Sequence, residues 1–440
     1  MKKNTKALLS TFRKQTFALS RTFTTSRIFT AGRIFISGTA LLFFTLWPAA
    51  AAEITVPKLE MASRGRMVEN EFVVSSVISA DMTLSGGYKY TFSLGFSIDA
   101  ADISRSFAYR NFGDFYVPPG GSSGTGVSED DINALADRVN NQAVLGFRTA
   151  KATARDLFNL PLELTYFMGT GDDFCTGDEF STRYGLAPFG TDFRGFFYFP
   201  DGIGGNPTRR YNGIHGARGT GFSVGLTQWD KFTPIVYLYQ DYIYSGTVFG
   251  ANVKNLYSGD LRFLIYYDWL RLEAFSGISW NSDIDRFLRG GFMINFDMGN
   301  GAEIFVQAGI TSWDWDESLN VDNLFFLVEP RLRFKYFGVF VTFFYHPVEY
   351  LHIYTEDERG RADLNIKFLF GNEESGFTGG LETGGDLKID KETDFKMQIA
   401  PFCSFITSGL RWDTKLRIRP FGNDTPSEMY ELFIGVRTSF

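Results

Sequence analysis

No run of 18 apolar residues follows Trp47, although 44 % of the 440 residues are hydrophobic. A transmembrane helix needs about 20 consecutive, mainly apolar residues, so a helical membrane protein is excluded for the chain after Trp47. Cysteine and histidine are scarce, with 2 and 3 residues. Cys175 and Cys403 lie far apart and the histidines lack metal-ligand spacing, so we expect neither a disulfide scaffold nor a metal or other cofactor.

Charged residues make up only 21 % of the chain, and the formal net charge is −7. Nucleic-acid-binding domains usually carry a basic patch, so a nucleic-acid partner is not expected. Phenylalanine (48), tyrosine (20) and glycine (46) are abundant instead. This composition favours many strands joined by glycine-containing turns, with an apolar surface that faces something other than water.

The first 52 residues have the organisation of an export signal. A basic leader without acidic residues precedes an apolar stretch from Ile34 to Trp47, and Ala49 to Ala52 offer an A-x-A cleavage site. The alternative is a permanent N-terminal anchor, but a run of about 14 residues is short for about 30 Å of hydrocarbon. We therefore predict a signal peptide over residues 1–52, cleaved near Ala52, and an exported mature chain.

Alternation of apolar and polar residues recurs along the mature part of the chain. Between Tyr88 and Ile98, aromatic and aliphatic residues occupy every second position, with Lys, Thr, Ser and Gly between them. Similar patterns surround Arg262, Arg333 and Arg417. The segments are about 10–13 residues long, whereas strands of globular proteins usually have about 5–6 residues and a bilayer requires about 9–11. The pattern therefore predicts transmembrane β-strands.

Short and long connections alternate between these segments, as in membrane barrels with short periplasmic turns and longer outer loops. The last segment ends at Phe440 and places Tyr430, Leu432 and Ile434 on the same face as that residue. This ending resembles the C-terminal signature of bacterial outer-membrane barrels. The resemblance implies a location in the bacterial outer membrane, with the membrane lipid and the β-barrel assembly machinery as partners.

Counting such segments back from Phe440 predicts sixteen strands. The predicted strands span residues 88–98, 143–152, 157–168, 219–229, 232–244, 257–268, 270–280, 286–297, 302–312, 323–336, 338–347, 362–370, 377–390, 394–407, 409–419 and 429–440. Residues 53–87 then form a separate N-terminal segment, which is a candidate hatch. The predicted fold class is all-β, a transmembrane antiparallel β-barrel of about 14–16 strands, within a range of about 14–18.

The interior of such a barrel is too wide for side chains to fill, because its backbone circumference is roughly 90–100 Å. Water, an inward-folded loop or the N-terminal segment must occupy the rest. A charge on the lipid-facing side costs about 2–4 kcal/mol near the midplane, so the charged face is predicted to point inward. Candidate lumen and ligand-binding residues on that face are Arg331, Arg333, Lys335, Lys415, Arg417, Arg419 and Arg437. They either line a path for an anionic group or form paired charge ladders that hold the wall rigid.

Two long connections have features of their own. Residues 128–139 predict a short helix in an outer loop, which either folds over the barrel mouth or decorates the surface. Residues 169–218 are interpreted as one long outer excursion containing an aromatic cluster. The cluster, either an apolar capture groove or part of a membrane strand, comprises Phe193, Phe196, Phe197, Tyr198 and Phe199.

Gly221 to Gly225 match the G-x-S-x-G pattern of nucleophilic hydrolases around Ser223. That motif requires a strand-to-helix turn, whereas here it lies within an alternating strand. The acidic runs near Asp172 and Asp314 lack the spacing of an EF-hand loop. We therefore predict no enzyme activity and no metal site.

The overall plan resembles the outer-membrane long-chain fatty acid transporter family in architecture across residues 53–440. The resemblance implies passive uptake of small hydrophobic molecules, with a hatch inside the barrel and an apolar capture groove in the outer loops. The charged interior and the acidic loops favour a second reading, a general diffusion porin for small hydrophilic solutes. A third is a surface adhesin or structural barrel.

Overall fold

The computed structural model describes fifteen stretches of the chain. They are residues 53–68, 71–85, 89–99, 144–186, 189–191, 213–227, 231–241, 256–280, 286–346, 349–350, 353–354, 361–372, 376–388, 395–421 and 429–438. The predicted signal peptide, the predicted helix at 128–139, the aromatic cluster at 193–199 and Phe440 lie outside these residues, and those predictions remain predictions.

Eighteen long strands form a single antiparallel sheet. They are β1 (Glu53–Val68), β2 (Glu71–Ser85), β3 (Tyr90–Asp99), β4 (Val144–Arg155), β5 (Leu162–Phe174), β6 (His215–Leu226), β7 (Phe232–Asp241), β8 (Leu256–Tyr267), β9 (Leu270–Trp280), β10 (Arg286–Gly299), β11 (Ala302–Asp314), β12 (Leu324–Phe334), β13 (Phe337–His346), β16 (Arg361–Asn372), β17 (Phe377–Lys388), β18 (Phe395–Thr407), β19 (Leu410–Ile418) and β20 (Tyr430–Thr438). The two-residue strands β14 (Glu349–Tyr350) and β15 (Ile353–Tyr354) pair with each other in a separate small hairpin.

The sheet closes into a barrel. Each long strand lies beside its neighbour along the chain, and β1 pairs with both β2 and β20. The sixteen predicted strands are all present, and the all-β barrel is confirmed. The largest shift in position is at β5, which was predicted over 157–168 and runs from Leu162 to Phe174.

The prediction of a separate N-terminal segment over residues 53–87 is corrected by the structure. Residues 53–68 and 71–85 are β1 and β2, and they complete the wall between β20 and β3. In the sequence of β2, apolar residues occupy odd positions (Val73, Val77) as well as even ones (Phe72, Ile78), so the alternation of apolar and polar residues is weak. The described residues therefore form eighteen wall strands, at the upper end of the predicted range.

Burial along the strands is the inverse of the pattern in a water-soluble protein. On β8, Arg262 is fully buried, while the adjacent Leu261 and Phe263 are partly exposed. On β7, Tyr237 is 0 % exposed and Leu238 is 59 % exposed. The same inner face buries the charged residues Glu273, Arg289, Glu329, Arg331, Asp363, Lys415 and Glu431. Charges therefore line the inside of the barrel and apolar side chains cover its outside.

The connections divide into a short-turn end and a long-connection end. Residues 268–269, 335–336 and 408–409 connect strand pairs at the first end, while residues 175–214 and 315–323 do so at the second. The β10–β11 turn at the short-turn end requires glycine at position 301, where φ is 80° and a Cβ atom would lie 1.9 Å from the Arg333 carbonyl oxygen.

Helix is a minor component of the described chain. The single described α-helix, α1 (Asp178–Tyr184), belongs to the β5–β6 connection, and two 3-10 turns follow β4 and precede β12. None of the helices in the described part of the chain has both the length and the apolar character needed to cross a membrane.

Candidate functional site

The part of the β5–β6 connection that directly follows β5 turns into the barrel. Of its described residues, 175–186 and 189–191 are here called the inserted segment. This segment contacts the inner wall at three places: its start, α1 and its end. The prediction of a long outer excursion over residues 169–218 is therefore corrected, because the extended strands shorten it to residues 175–214 and its described part packs inward.

Cys175 fixes the start of the inserted segment. Its backbone N–H donates to Glu273 Oε1 over 2.6 Å, and its carbonyl oxygen accepts from Gln307 Nε2. Glu273 also accepts from Arg262 Nε over 2.8 Å, and Arg262 Nη2 donates to the Asp173 carbonyl over 3.3 Å. Burial and the neighbouring Glu273 carboxylate raise the pKa of the Cys175 thiol well above its ordinary range.

Polar contacts hold α1 against β5 and β7. Arg183 forms an i,i+4 ion pair with Glu179 on the helix and reaches Glu163 Oε1 on β5 over 3.1 Å. The hydroxyl of Tyr184 is hydrogen-bonded to Thr233 Oγ1 on β7 over 2.8 Å. The helix is consequently fixed at both its polar side and its C-terminal end.

Arg331 and Glu329 hold the end of the inserted segment. Arg331 donates from Nη1 to the Phe189 carbonyl over 3.0 Å and from Nη2 to the Gly190 carbonyl over 2.8 Å. Its Nε atom pairs with Glu329 Oε1 over 2.6 Å. Glu329 Oε2 in turn accepts from the hydroxyl of Thr191. Both wall residues are almost fully buried, so the contact is sealed from water.

Aromatic packing joins the three attachment points. The Phe180 and Phe189 rings lie edge to face with centroids 5.3 Å apart, and Tyr184 stacks on Tyr266 of β8 at 5.2 Å. Phe174 packs against the ring of Phe275 on β9 at 5.3 Å. These rings belong to one hydrophobic cluster inside the barrel, and that cluster also contains Cys175.

Several of the wall contacts lie near the short-turn end of the barrel. Glu163 and Thr233 are the second residues of β5 and β7, and Glu273 is the fourth residue of β9. Arg331 is the fourth residue from the end of β12. The inserted segment therefore starts from the long-connection end and occupies part of the interior close to the opposite end.

A second buried polar network lies beside the segment, on β6 to β10. Tyr239 donates from its hydroxyl to Asp260 Oδ2 over 2.8 Å, and Arg289 Nε donates to Asp260 Oδ1 over 2.7 Å. His215 Nε2 lies 3.1 Å from the Tyr239 hydroxyl. The ring of His215 packs against Phe174, the last residue of β5, which directly precedes the inserted segment.

The predicted basic candidates separate into several environments. Arg331 forms hydrogen bonds with the inserted segment, as described above. Arg333 is exposed at the end of β12, with its guanidinium 5.2 Å from the centroid of the Phe340 ring. Lys335 lies in the β12–β13 turn, exposed, with its ammonium 5.2 Å from the centroid of the Tyr336 ring.

The basic candidates in and just after β19 are paired with acids. Lys415 forms an ion pair with Glu382 of β17, and Arg417 pairs with Glu431 of β20. Arg419, just after β19, reaches the other oxygen of Glu431 over 3.2 Å. Arg437 is a residue of β20, opposite Arg411 in the strand pairing. The structure thus distributes the seven candidates around the wall rather than bringing them to one point.

Glu329, Thr191 and Gln307 are site residues that the sequence analysis did not single out. One of them had a signal: Glu329 precedes Arg331 by two positions on a strand, so the two opposite charges share a face. No sequence pattern identified Thr191 or Gln307 as a site residue. Their role depends on contacts between residues more than a hundred positions apart.

The prediction that the G-x-S-x-G match lies within a strand is confirmed. Gly221 to Gly225 lie inside β6, and Ser223 is a buried residue of a regular strand with no strand-to-helix turn. Among the described residues, no group of three or more His, Cys, Asp and Glu side chains is arranged to hold a metal ion.

Comparison with known proteins adds fold neighbours but no family. No family model and no curated protein matches the chain. The chain is similar to Pseudomonas aeruginosa OccK8 (OprE), at 12 % identity over 89 % of this chain and 98 % of that one, with a TM-score of 0.49. It is also similar to Acinetobacter baumannii OccAB3 (11 %, 89 % and 99 %, 0.48) and to a mutant of the Rh. blastica porin (10 %, 88 % and 100 %, 0.43). The fold assignment rests on the strand pairings themselves.

Proposed function

We propose that the chain is a bacterial outer-membrane channel, not an enzyme, through which small hydrophilic solutes diffuse passively. The observation that carries this proposal is the inverted burial, with charges such as Arg262 and Glu273 inside and Leu238 outside. An apolar outer surface on a closed barrel matches hydrocarbon, and a charged inner surface matches water. Charged side chains on the lipid face would cost about 2–4 kcal/mol each near the midplane.

The inserted segment limits the size of the solute that passes. It occupies part of the interior along β5 to β12, near the short-turn end. The free cross-section is consequently smaller than that of an unobstructed eighteen-strand barrel, which side chains alone cannot fill. Solutes are therefore selected mainly by size.

Ion selectivity is expected to be weak. Lys415 and Arg417 face Glu382 and Glu431 in ion pairs, so a passing solute meets balanced charge on this part of the wall. The exposed candidates Arg333 and Lys335 supply a modest preference for anions. This assignment combines the two alternatives drawn from the sequence, a basic path and a paired ladder.

The proposed location carries two further expectations. The segment at 1–52 directs export and is removed near Ala52, and the strand that leads to Phe440 is recognised by the β-barrel assembly machinery. Fractionation of cells with separation of inner and outer membranes tests the location. N-terminal sequencing of the purified protein tests the cleavage.

Liposome swelling tests the channel directly. Purified protein reconstituted into liposomes is expected to admit monosaccharides rapidly and larger oligosaccharides progressively more slowly. Binding of a long-chain fatty acid is measured in parallel, because uptake of hydrophobic molecules is the competing function. Fatty acid binding without sugar permeation would favour uptake, and the absence of both would favour a surface adhesin; either result contradicts the proposal.

A further inference from the structure

The guanidinium of Arg331 contacts the inserted segment and the wall, and not the open interior. Its two Nη atoms donate to the consecutive carbonyls of Phe189 and Gly190, and its guanidinium lies over the Phe305 ring at 4.6 Å from the centroid. The third guanidinium nitrogen, Nε, donates a hydrogen bond to Glu329. With 1 % of its surface exposed, Arg331 faces protein on all sides.

Glu329 completes the contact from the same strand. One oxygen accepts from Arg331, and the other accepts from Thr191 of the segment and from Thr342 of β13, the latter over 2.6 Å. The hydrogen bonds that this pair forms with the inserted segment end on residues 189–191. On β12, Arg331 and Glu329 therefore form a binding site for three consecutive residues of the inserted segment.

The end of the segment is also placed against its own beginning. A Cβ atom at Gly190 would lie 2.7 Å from the carbonyl oxygen of Thr176, so only glycine allows the two stretches to approach this closely. Gly190 and Thr176 thus bring the two ends of the segment together beside Cys175. Release of residues 189–191 would consequently loosen the packing around that thiol.

Buried ion pairs contribute little net stability compared with apolar residues of similar size, because desolvation of both charges offsets their attraction. Such pairs are instead suited to fixing one geometry. The contacts of Arg331 and Glu329 with residues 189–191 match this second role. The pair thus bears on where the segment lies more than on whether the barrel folds.

We propose that the Arg331–Glu329 pair is a clasp that holds the inserted segment in place and thereby sets the size limit of the channel. Both residues are positioning residues, because they act through the segment and not by touching the solute. This inference rests on the proposed channel function. It assigns to Arg331 a different role from that of an anion-contacting residue.

The principal test replaces both members of the pair, so that neither charge is left buried without the other. Glu303, a partly exposed carboxylate 3.7 Å from Arg331 Nη1, loses only this longer contact. The double variant Arg331→Met with Glu329→Gln keeps similar volumes and removes both charges together. The matched control is Arg333→Gln, which removes an exposed arginine two positions away on the same face of β12. Folding of each variant is checked by its migration in unheated SDS electrophoresis, which separates folded barrels from unfolded chains.

The first readout is liposome swelling with sugars of graded size. The double variant is expected to admit oligosaccharides that the parent excludes, whereas the Arg333→Gln control keeps the parent's limit. A folded double variant with the parent's size limit would overturn the proposal.

The second readout does not depend on a channel. In a Cys403→Ala background Cys175 is the single thiol, and it is fully buried. Maleimide labelling of Cys175 is expected to accelerate at least about tenfold in the double variant and to stay unchanged in the control, since loosening the segment raises local opening. If the parent admits no solute but labelling follows this pattern, the clasp stands and the channel proposal fails.

A milder variant covers the case in which the double variant does not fold. Thr191→Val removes the hydroxyl that donates to Glu329 and leaves the wall untouched. We expect faster Cys175 labelling and a raised size limit, both smaller than in the double variant. Unchanged labelling and an unchanged limit in folded Thr191→Val, with the double variant unfolded, would overturn the clasp.

Discussion

Cys175 and Glu273, 98 residues apart, meet inside the barrel, where the backbone N–H of the cysteine donates to Glu273 Oε1 over 2.6 Å. The same carboxylate oxygen accepts from Arg262 Nε over 2.8 Å. One buried acid therefore serves two purposes: it neutralises a wall arginine and attaches the start of the inserted segment. Charges inside this barrel are thus part of its architecture as well as of its lining.

This relationship predicts a non-additive response to substitution. Glu273→Gln keeps an acceptor for the Cys175 N–H but removes the nearest carboxylate from the buried guanidinium of Arg262, which then has only the more distant Glu179 at 3.8 Å. We expect a loss of about 3 kcal/mol or more in the free energy of unfolding, as is typical when one member of a buried pair is removed. Urea unfolding in lipid or detergent, followed by tryptophan fluorescence, measures it.

The control for that prediction is the double variant Arg262→Met with Glu273→Gln, which removes the uncompensated charge as well. It should recover most of the lost stability, giving a large coupling energy between the two positions. Equal losses in the single and double variants would contradict the assignment of the loss to the stranded arginine.

The β10–β11 turn offers a matched pair of glycines. Gly299 and Gly301 have φ values of 79° and 80°, but only at Gly301 would a Cβ atom collide with backbone, at 1.9 Å from the Arg333 carbonyl oxygen. Gly299→Ala is expected to cost about 1 kcal/mol through backbone strain alone. Gly301→Ala should cost clearly more, measured by the same unfolding experiment. Equal costs would show that the close approach to β12 does not matter.

Leu238 tests whether the outer wall faces hydrocarbon. It is 59 % exposed on β7, and an exposed leucine of a water-soluble protein usually tolerates replacement within about 0.5 kcal/mol. On a lipid-facing wall, Leu238→Arg should cost about 2–4 kcal/mol. The control is Leu319→Arg, at a 50 % exposed position in the β11–β12 connection, where little change is expected. Similar small costs at both positions would argue against the membrane.

The strands were predictable because their side chains repeat a simple physical requirement. Arg262 between Leu261 and Phe263 shows it: hydrocarbon excludes the charge and the interior accepts it. β1 and β2 were not predicted as wall strands, because apolar residues such as Val73 and Val77 of β2 weaken the alternation that identifies such a strand. The place of β1 in the wall depends on pairing with β20, a contact between the first and the last strand of the described chain.

The inserted segment was not predictable in the same way. Its direction is set by contacts such as that of Arg331 with Phe189, 142 residues apart, and no periodicity in residues 175–191 encodes them. Arg331 was recognised as an inward-facing residue, but its partner could not be. A sequence identifies which face a charge occupies far more readily than what it touches.

Single-channel recording in planar lipid bilayers tests the central claim most directly. Purified, folded protein added at low concentration is expected to give discrete, persistent steps of conductance, with a heat-unfolded sample of the same preparation giving none. Folded protein that inserts into the bilayer without any conductance step, or that stays in the aqueous phase, would contradict the account.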